Sequence, residues 1–252
     1  SSPLPSETLN VHRDDTNEDY PLRVYGPAGL KESGKRYPSI FVLDSEWNFE
    51  GTINRLGIYR DKTIVVGIGN NAQRSRDYVP AGYLTSSQQG YDSGANAAGF
   101  LSFVRTKLIP ALDARFSVVD PNRRILYGHS FGGLFSGYAL LADKPGERLF
   151  KGYLSSDASN WGNNESVLLP LGQTLLTLGG GHLPIRVYCG GATAGNSFYA
   201  VGVCGELEKA RATYGVFSDA SVSSNILTGT HNSVVDVTAR EGLAFLLEGE
   251  EP

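Results

Sequence analysis

The sequence predicts an α/β protein: a mostly parallel central sheet with helices on both faces and an antiparallel hairpin at its edge, formed by the N-terminal residues. Three observations predict it. From residue 37 onward, short apolar runs alternate with amphipathic stretches, the pattern of strands joined by crossover helices. Those runs are apolar at successive positions, as in strands covered on both faces, rather than at every second one. Ahead of them, within residues 7–27, ETLNVHR and YPLRVYG flank the polar turn DDTNED, which reads as a hairpin.

Taken in order, YPSIFVLD (37–44), TIVVGIG (63–69) and RILYG (124–128) are the first three buried strands. YLSS (153–156), IRVYCG (185–190) and SSNILTG (223–229) complete the set. Between them, GANAAGFLSFVRTKLIPALDARF carries Phe100, Phe103, Val104 and Leu108 at spacings of three and four, one apolar helix face. Similar stripes run through GGLFSGYALLAD, YAVGVCGELEKARATYG and VVDVTAREGLAFLLE. In sheets of this kind chemistry gathers at the carboxyl ends of the strands. Residues 70–93, the longest irregular stretch, leave the carboxyl end of TIVVGIG and are expected to overhang that active face.

At 252 residues, one domain covering 1–252 is expected. A net charge of −4 with no basic block argues against a nucleic-acid partner. No apolar stretch approaches the roughly 18–20 residues of a membrane span, and no secretory h-region opens the chain, so a soluble form is expected. Methionine is absent, the initiator included, as in a processed or trimmed chain, and the compartment is left open. Cys189 and Cys204 exclude a disulfide-rich scaffold and a four-cysteine zinc site. Two buried free thiols are expected ahead of one disulfide, because Cys189 ends an apolar run. Four scattered histidines offer no metal-ligand cluster, and no cofactor is expected.

The chemistry centres on YGHSFGGLFS, where Gly128, His129, Ser130, Phe131 and Gly132 form G-x-S-x-G, followed by Gly133. Alone this pattern is weak, and Ser130 could be the cap of a glycine-rich turn. Here it lies between a β-rich run and an amphipathic helix, the setting of a nucleophile elbow, in which small neighbours relieve a strained turn. A serine hydroxyl needs a base. His12 lies in the edge hairpin, His129 is expected to point to the other side of the elbow, and His182 precedes a strand at the wrong end of the sheet. His231, in GTHNSV after the last strand, falls on the rim of Ser130 and in the expected chain order.

The acid is expected after IRVYCG, yet GATAGNSFYAV follows and no carboxylate occurs before Glu206. A neutral group or carbonyl could orient His231, giving a Ser–His dyad, which is preferred; Asp157 after YLSS, or Glu206 reaching back, are the alternatives. An oxyanion hole needs two backbone donors, each worth ~3 kcal/mol of transition-state stabilisation. Phe131 N–H is one candidate; the other is the N–H of Ser45 or Glu46, after FVLD.

These stretches resemble the putative-esterase family of α/β-hydrolases, and within it the siderophore trilactone esterases, the enterobactin and salmochelin hydrolases. The resemblance runs from about residue 20 to the C-terminus and rests on YPSIFVLDSEWNF, IVVGIG with RSRDYVP, LIPALDARF, RRILYGHSFGGLFSGYALL and GGATAGNSFYAVGV. It implies ester hydrolysis through an acyl-serine, with Ser130 as nucleophile and His231 as base, acting on a small-molecule ester such as an anionic ferric siderophore. Arg76 matches a position near the substrate, with a salt bridge to Asp77 as its ordinary reading. Trp47, Trp161 and Tyr78 are candidates to line the substrate site, or to be core. Asp157-Ala158 stands where the family has Pro-Ser. A short-chain or feruloyl-type esterase, an acyltransferase, or a catalytically silent binding protein on the same fold are the other functions this sequence allows.

Overall fold

A computed structural model describes residues 6–26, 34–85, 87–88, 94–165 and 168–249. Eight strands form one sheet: β1 (Glu7–Arg13), β2 (Glu18–Tyr25), β3 (Tyr37–Val42), β4 (Ile64–Ile68), β5 (Val119–His129), β6 (Gly152–Ser156), β7 (Arg186–Ala194) and β8 (Ser221–Thr230). Their spatial order is β1-β2-β4-β3-β5-β6-β7-β8. β1 and β2 form the expected edge hairpin, β2 joins β4 antiparallel, and every pairing from β4 to β8 is parallel.

The helices are α1 (Ser45–Asn54), α2 (Arg74–Asp77), α3 (Ala97–Phe103), α4 (Ile109–Arg115), α5 (Phe131–Ala142), α6 (Leu168–Gly179), α7 (Ser197–Ala200), α8 (Gly202–Tyr214) and α9 (Val235–Leu247). Alternation along each strand decides which helices each residue meets. Ile40, Val42, Val65, Ile125, Leu154 and Tyr188 pack with Phe49 and Ile53 of α1 and with Leu243 and Leu246 of α9. Phe41, Val66, Leu126, Tyr153, Val187 and Cys189 face the opposite layer, built from α3, α4, α5, α6 and α8.

Residues 97–115, expected to be one helix, are interrupted by a π turn at Val104–Leu108. Pro110 lies in the first turn of α4 and has no N–H to donate, so the widened turn takes the chain past it. Neither α1 nor α6 is among the helices expected. In α1 only Ser45, Phe49, Thr52 and Ile53 are buried, an apolar face too short to stand out. Pro170, Gly172 and Gly179 weaken the helical signal of α6.

The cysteines correct the free-thiol expectation: Cys189 and Cys204 are joined by a disulfide, with Cα atoms 6.2 Å apart. Cys189 points to the sheet face on which α8 packs, and Cys204 belongs to the buried stripe of α8 with Val203 and Leu207. Burial was legible in the sequence, whereas the approach of α8 to that face was not.

A buried charge network fastens the hairpin to the segment after β4. Asp77, 2% exposed, accepts hydrogen bonds from Tyr20 OH (2.5 Å), Arg76 Nε (2.9 Å) and Arg13 Nη1 (3.2 Å). Arg13 itself is 1% exposed. Removing one partner of such a cluster strands a buried charge. Asp77→Ala should therefore lower the unfolding free energy by about 3–5 kcal/mol, read as a fall in the urea midpoint with little change in slope.

Candidate active site

Backbone strain collects at one rim of the sheet. The non-glycine residues with positive φ include Asp44 (52°) after β3, Asn70 (73°) after β4, Ser130 (62°) after β5, Asp157 (39°) after β6 and Ser197 (50°) after β7. Each costs on the order of 1–3 kcal/mol, and such residues cluster where a fold places its functional groups. All five lie beyond the carboxyl ends of neighbouring strands, the rim that the sequence assigned to the chemistry.

At Ser130 the chain passes directly from β5 into α5, with φ 62° and ψ −121°. Gly128 is required for this: a Cβ there would lie 2.2 Å from backbone atoms of Gly132. The Ser130 N–H donates to Ser156 O (2.9 Å), and its carbonyl accepts from Ser159 N (3.1 Å). Its hydroxyl shares a hydrogen bond of 3.2 Å with Ser159 Oγ. The segment after β4 reaches the same place, since Tyr83 OH donates to Ser159 O (2.9 Å). That segment was expected at this face; its residues 86 and 89–93 lie outside those described.

His231 follows β8, and its Nδ1 lies 2.5 Å from Asp157 Oδ2. Of the three partners weighed for His231, the structure thus gives it the carboxylate of Asp157. Asp157 is completely buried and also accepts from Ala192 N (2.8 Å) and Asn196 N (3.0 Å). Burial works to raise its pKa, but the hydrogen bonds from His231, Asn196 and Ala192 together outweigh burial and hold it below the usual carboxylate value.

His129 corrects another expectation. Instead of pointing away, its ring lies 4.4 Å from that of His231, and its Nδ1 hydrogen-bonds Ser156 Oγ at 3.0 Å. The short run from β5 into α5 gives the residue before Ser130 a place on the same rim. Burial is the main cause pulling the His129 pKa down to about 4, with the neighbouring His231 next. The other two histidines are remote in character: His12 pairs with Asp19 on the hairpin, and the His182 side chain is 86% exposed.

The turn after β3 borders the elbow, because a Cβ on Gly132 would sit 3.5 Å from Asp44 Oδ2. Ser45 and Glu46 open α1 there, in the first turn where backbone N–H groups lack partners within the helix. The Glu46 carboxylate accepts from Asn71 N (2.8 Å), tying α1 to the segment after β4. Tyr78, 2% exposed, accepts from Asp44 N–H (3.2 Å); it is core that fixes this turn, not a substrate-facing ring.

Arg76 is engaged elsewhere, on Glu18 (2.6 Å), Asp77 (2.9 Å) and Tyr20 OH (3.1 Å), which is its ordinary ion-pair reading. The arginine beside the elbow is Arg74, which the sequence did not single out. Its guanidinium forms two hydrogen bonds to Asp44 (3.0 and 3.1 Å) and lies 5.3 Å from the Trp47 ring and 5.4 Å from the Phe131 ring. Trp47 is 66% exposed, and Trp161 stands 6.3 Å from Phe131. Both arginines of RSRD were visible; positions two apart on one helical turn point in different directions, and only the neighbours choose between them. Among the described residues no hydrogen bond joins Glu206 to His231, and Glu206 lies beside Glu165 instead. Among the described residues no group of three or more His, Cys, Asp or Glu is placed to hold a metal ion, and no helix is long and apolar enough to cross a membrane.

The depressed His129 pKa fixes the sign of an acid effect. Above the ordinary value of 6.5 the ring is neutral in both folded and unfolded chains. Between 6.5 and about 4 the unfolded chain binds a proton that the folded one refuses, so stability falls as pH drops through that window. From pH 7 to pH 4.5 this group should cost about 2 kcal/mol. Urea unfolding at the two pH values should show that loss in the wild type and a correspondingly smaller one in His129→Gln.

The family model described as Putative esterase matches residues 14–168. The chain is 31% identical over 183 residues to the siderophore triacetylfusarinine C esterase of Aspergillus fumigatus, covering 66% of this chain and 60% of that protein. It is 30% identical over 173 residues to the siderophore enterobactin esterase of Emericella nidulans, covering 59% of this chain and 56% of that protein. The match therefore spans less than two thirds of either relative. An IroE-like serine hydrolase from Shewanella oneidensis superposes with a TM-score of 0.76 at 23% identity, over 95% of this chain and 79% of that one. Sheet order, elbow and family match agree: this chain, of the α/β-hydrolase fold, belongs to the putative-esterase family.

Proposed function

We propose that this chain is a single-domain serine carboxylesterase whose substrate is a siderophore ester, with Ser130 as nucleophile, His231 as base and Asp157 as the acid that orients His231. The observation that carries this reading is the buried Asp157–His231 pair on the rim of the strained Ser130 turn.

Asp157, acting on Nδ1, leaves His231 Nε2 as the basic nitrogen and stabilises the imidazolium once it takes the Ser130 proton. The Ser130 alkoxide attacks the ester carbonyl. Phe131 N–H, with the N–H of Ser45 or Glu46, holds the oxyanion. His231 then protonates the leaving alcohol, and water releases the acyl group by the same sequence of transfers. His129, kept uncharged by burial, lets the imidazolium form beside it without facing a second positive charge.

The relatives named above carry siderophore esters in their names. On this chain, Arg74, whose Nε and Nη2 hold Asp44, brings its remaining N–H donors together with the exposed Trp47 ring and the Phe131 ring to a place suited to an anionic iron–catecholate ligand. Trp161 extends the apolar wall. Arg74, rather than Arg76, is the proposed contact.

Hydrolysis of p-nitrophenyl butyrate tests the chemistry. Ser130→Ala and His231→Ala should lose at least about 1,000-fold in kcat, and Asp157→Asn about 100- to 10,000-fold, with folding intact by circular dichroism. An inert wild type, or a folded Ser130→Ala with full activity, overturns the reading. Substrate choice is read separately: Arg74→Gln should raise KM about tenfold for a ferric siderophore ester and far less for the neutral p-nitrophenyl ester.

A further inference from the structure

Among the described residues, the segment between Cys189 and Cys204 makes every hydrogen bond to Asp157 other than that from His231. Gly190 O accepts from Asp157 N (2.9 Å); Ala192 N (2.8 Å) and Asn196 N (3.0 and 3.1 Å) donate to its carboxylate; Asn196 Nδ2 donates to its carbonyl (2.7 Å). The same segment reaches both other members of the proposed triad. Thr193 Oγ1 accepts from Gly229 N (3.1 Å), two residues before His231. Tyr199 O accepts from Asn160 Nδ2 (3.0 Å), next to Ser159, whose hydroxyl meets that of Ser130.

Such a cradle needs rigidity that its own sequence opposes. It holds glycines at 190, 191, 195 and 202, and Gly195 is there for close approach: a Cβ would lie 2.3 Å from Asp157 Oδ2. Between the end of β7 and the start of α8 at Gly202, only four of its residues are helical, in α7, which begins at Ser197 with a φ of 50°. β8 pairs with this segment as far as Ala194, and beyond that strand its course is set by where its ends are fixed. One end is Cys189, paired with Ser155 and Ser224 in the sheet; the other is Cys204 in α8; the two are bonded together across a separation of 15 residues. We propose that the Cys189–Cys204 disulfide is a positioning element for the acid–base pair: by closing this loop it holds the Asn196 donors, just past the end of β7, on Asp157, and so holds Asp157 on His231. This rests on the acid role proposed for Asp157.

If the disulfide acts through Asp157, its loss is felt only while Asp157 is a working carboxylate; a purely structural bond would give the same loss with or without it. The measurement is a double-mutant cycle on p-nitrophenyl butyrate hydrolysis with four proteins: wild type, Cys189→Ala/Cys204→Ala, Asp157→Asn, and all three changes together. Removing the disulfide from wild type should lower kcat about 10- to 100-fold with KM within about twofold, as expected for a misplaced catalytic group. The kcat/KM pH profile should move toward that of Asp157→Asn. In the Asp157→Asn background the same removal should change kcat less than about twofold. Equal losses in both backgrounds, or an unchanged kcat without the disulfide, overturn the proposal. Full activity in Asp157→Asn overturns the acid role itself, a different result. Should the double alanine variant not fold, volume-matched Cys189→Val/Cys204→Ala and phosphine-reduced wild type, with thiols counted by alkylation and mass, enter the cycle in its place.

Discussion

The rim of this sheet depends on a carboxylate that has no access to water. Asp157 lies just past β6 at a positive φ, and an unpaired charge in that position would cost several kcal/mol. Its neighbours are arranged to prevent that. Two backbone N–H groups come from the far end of β7 and the turn after it, and an imidazole comes from the end of β8. Three consecutive strand ends are therefore tied to one side chain, and a shift in any of them exposes or strands the charge. The elbow joins the same arrangement through its backbone, since Ser130 N–H donates to Ser156 O, immediately before Asp157.

The parallel sheet makes this economical in geometry. β5, β6, β7 and β8 are successive neighbours running in one direction, so their carboxyl ends form a row. Ser130, Asp157, the 190–196 donors and His231 are one residue set read across that row. The opposite flank is arranged differently. β3 and β4 end in turns held by the side chains of Tyr78, Arg74 and Glu46, and Asp44 is bound by Arg74 although its burial keeps its pKa raised. Beyond that flank, the Arg13–Asp77–Arg76–Tyr20 cluster ties the hairpin to α2, leaving Arg74 the one arginine of RSRD beside Phe131.

The α/β class, the edge hairpin and all six parallel strands were legible because each rests on local pattern: alternation, apolar runs, turn composition. Ser130 and His231 were legible as candidates for the same reason, one from small residues at a strand-to-helix turn, the other from its place after the last strand. What escaped depends on approach across the fold. IRVYCG was read as ending at Gly190, but pairing with β8 carries β7 on to Ala194, so GATA is strand and supplies a donor instead of an acid. The choice of Arg76 over Arg74 turned on Glu18 and Tyr20, more than fifty residues away. Cys189 was read as buried, correctly in its exposure, without sight of the helix that brings Cys204 to it.

That pattern bears on the glycine-rich run itself. GGATAGN reads as a loop because glycines and small residues usually mark freedom, and a missing carboxylate there reads as a missing acid. In three dimensions the small residues have the opposite use. A side chain at Gly195 would collide with Asp157 Oδ2, so the absence of a Cβ is what lets the backbone close over a buried carboxylate from the neighbouring strand. The carboxylate beside His231 lies one strand earlier than expected, and the expected strand becomes its hydrogen-bonding wall. Sheet pairing holds this run only as far as Ala194; beyond it, conformational freedom works against a fixed carboxylate, and the role proposed for the Cys189–Cys204 tie is to limit that freedom.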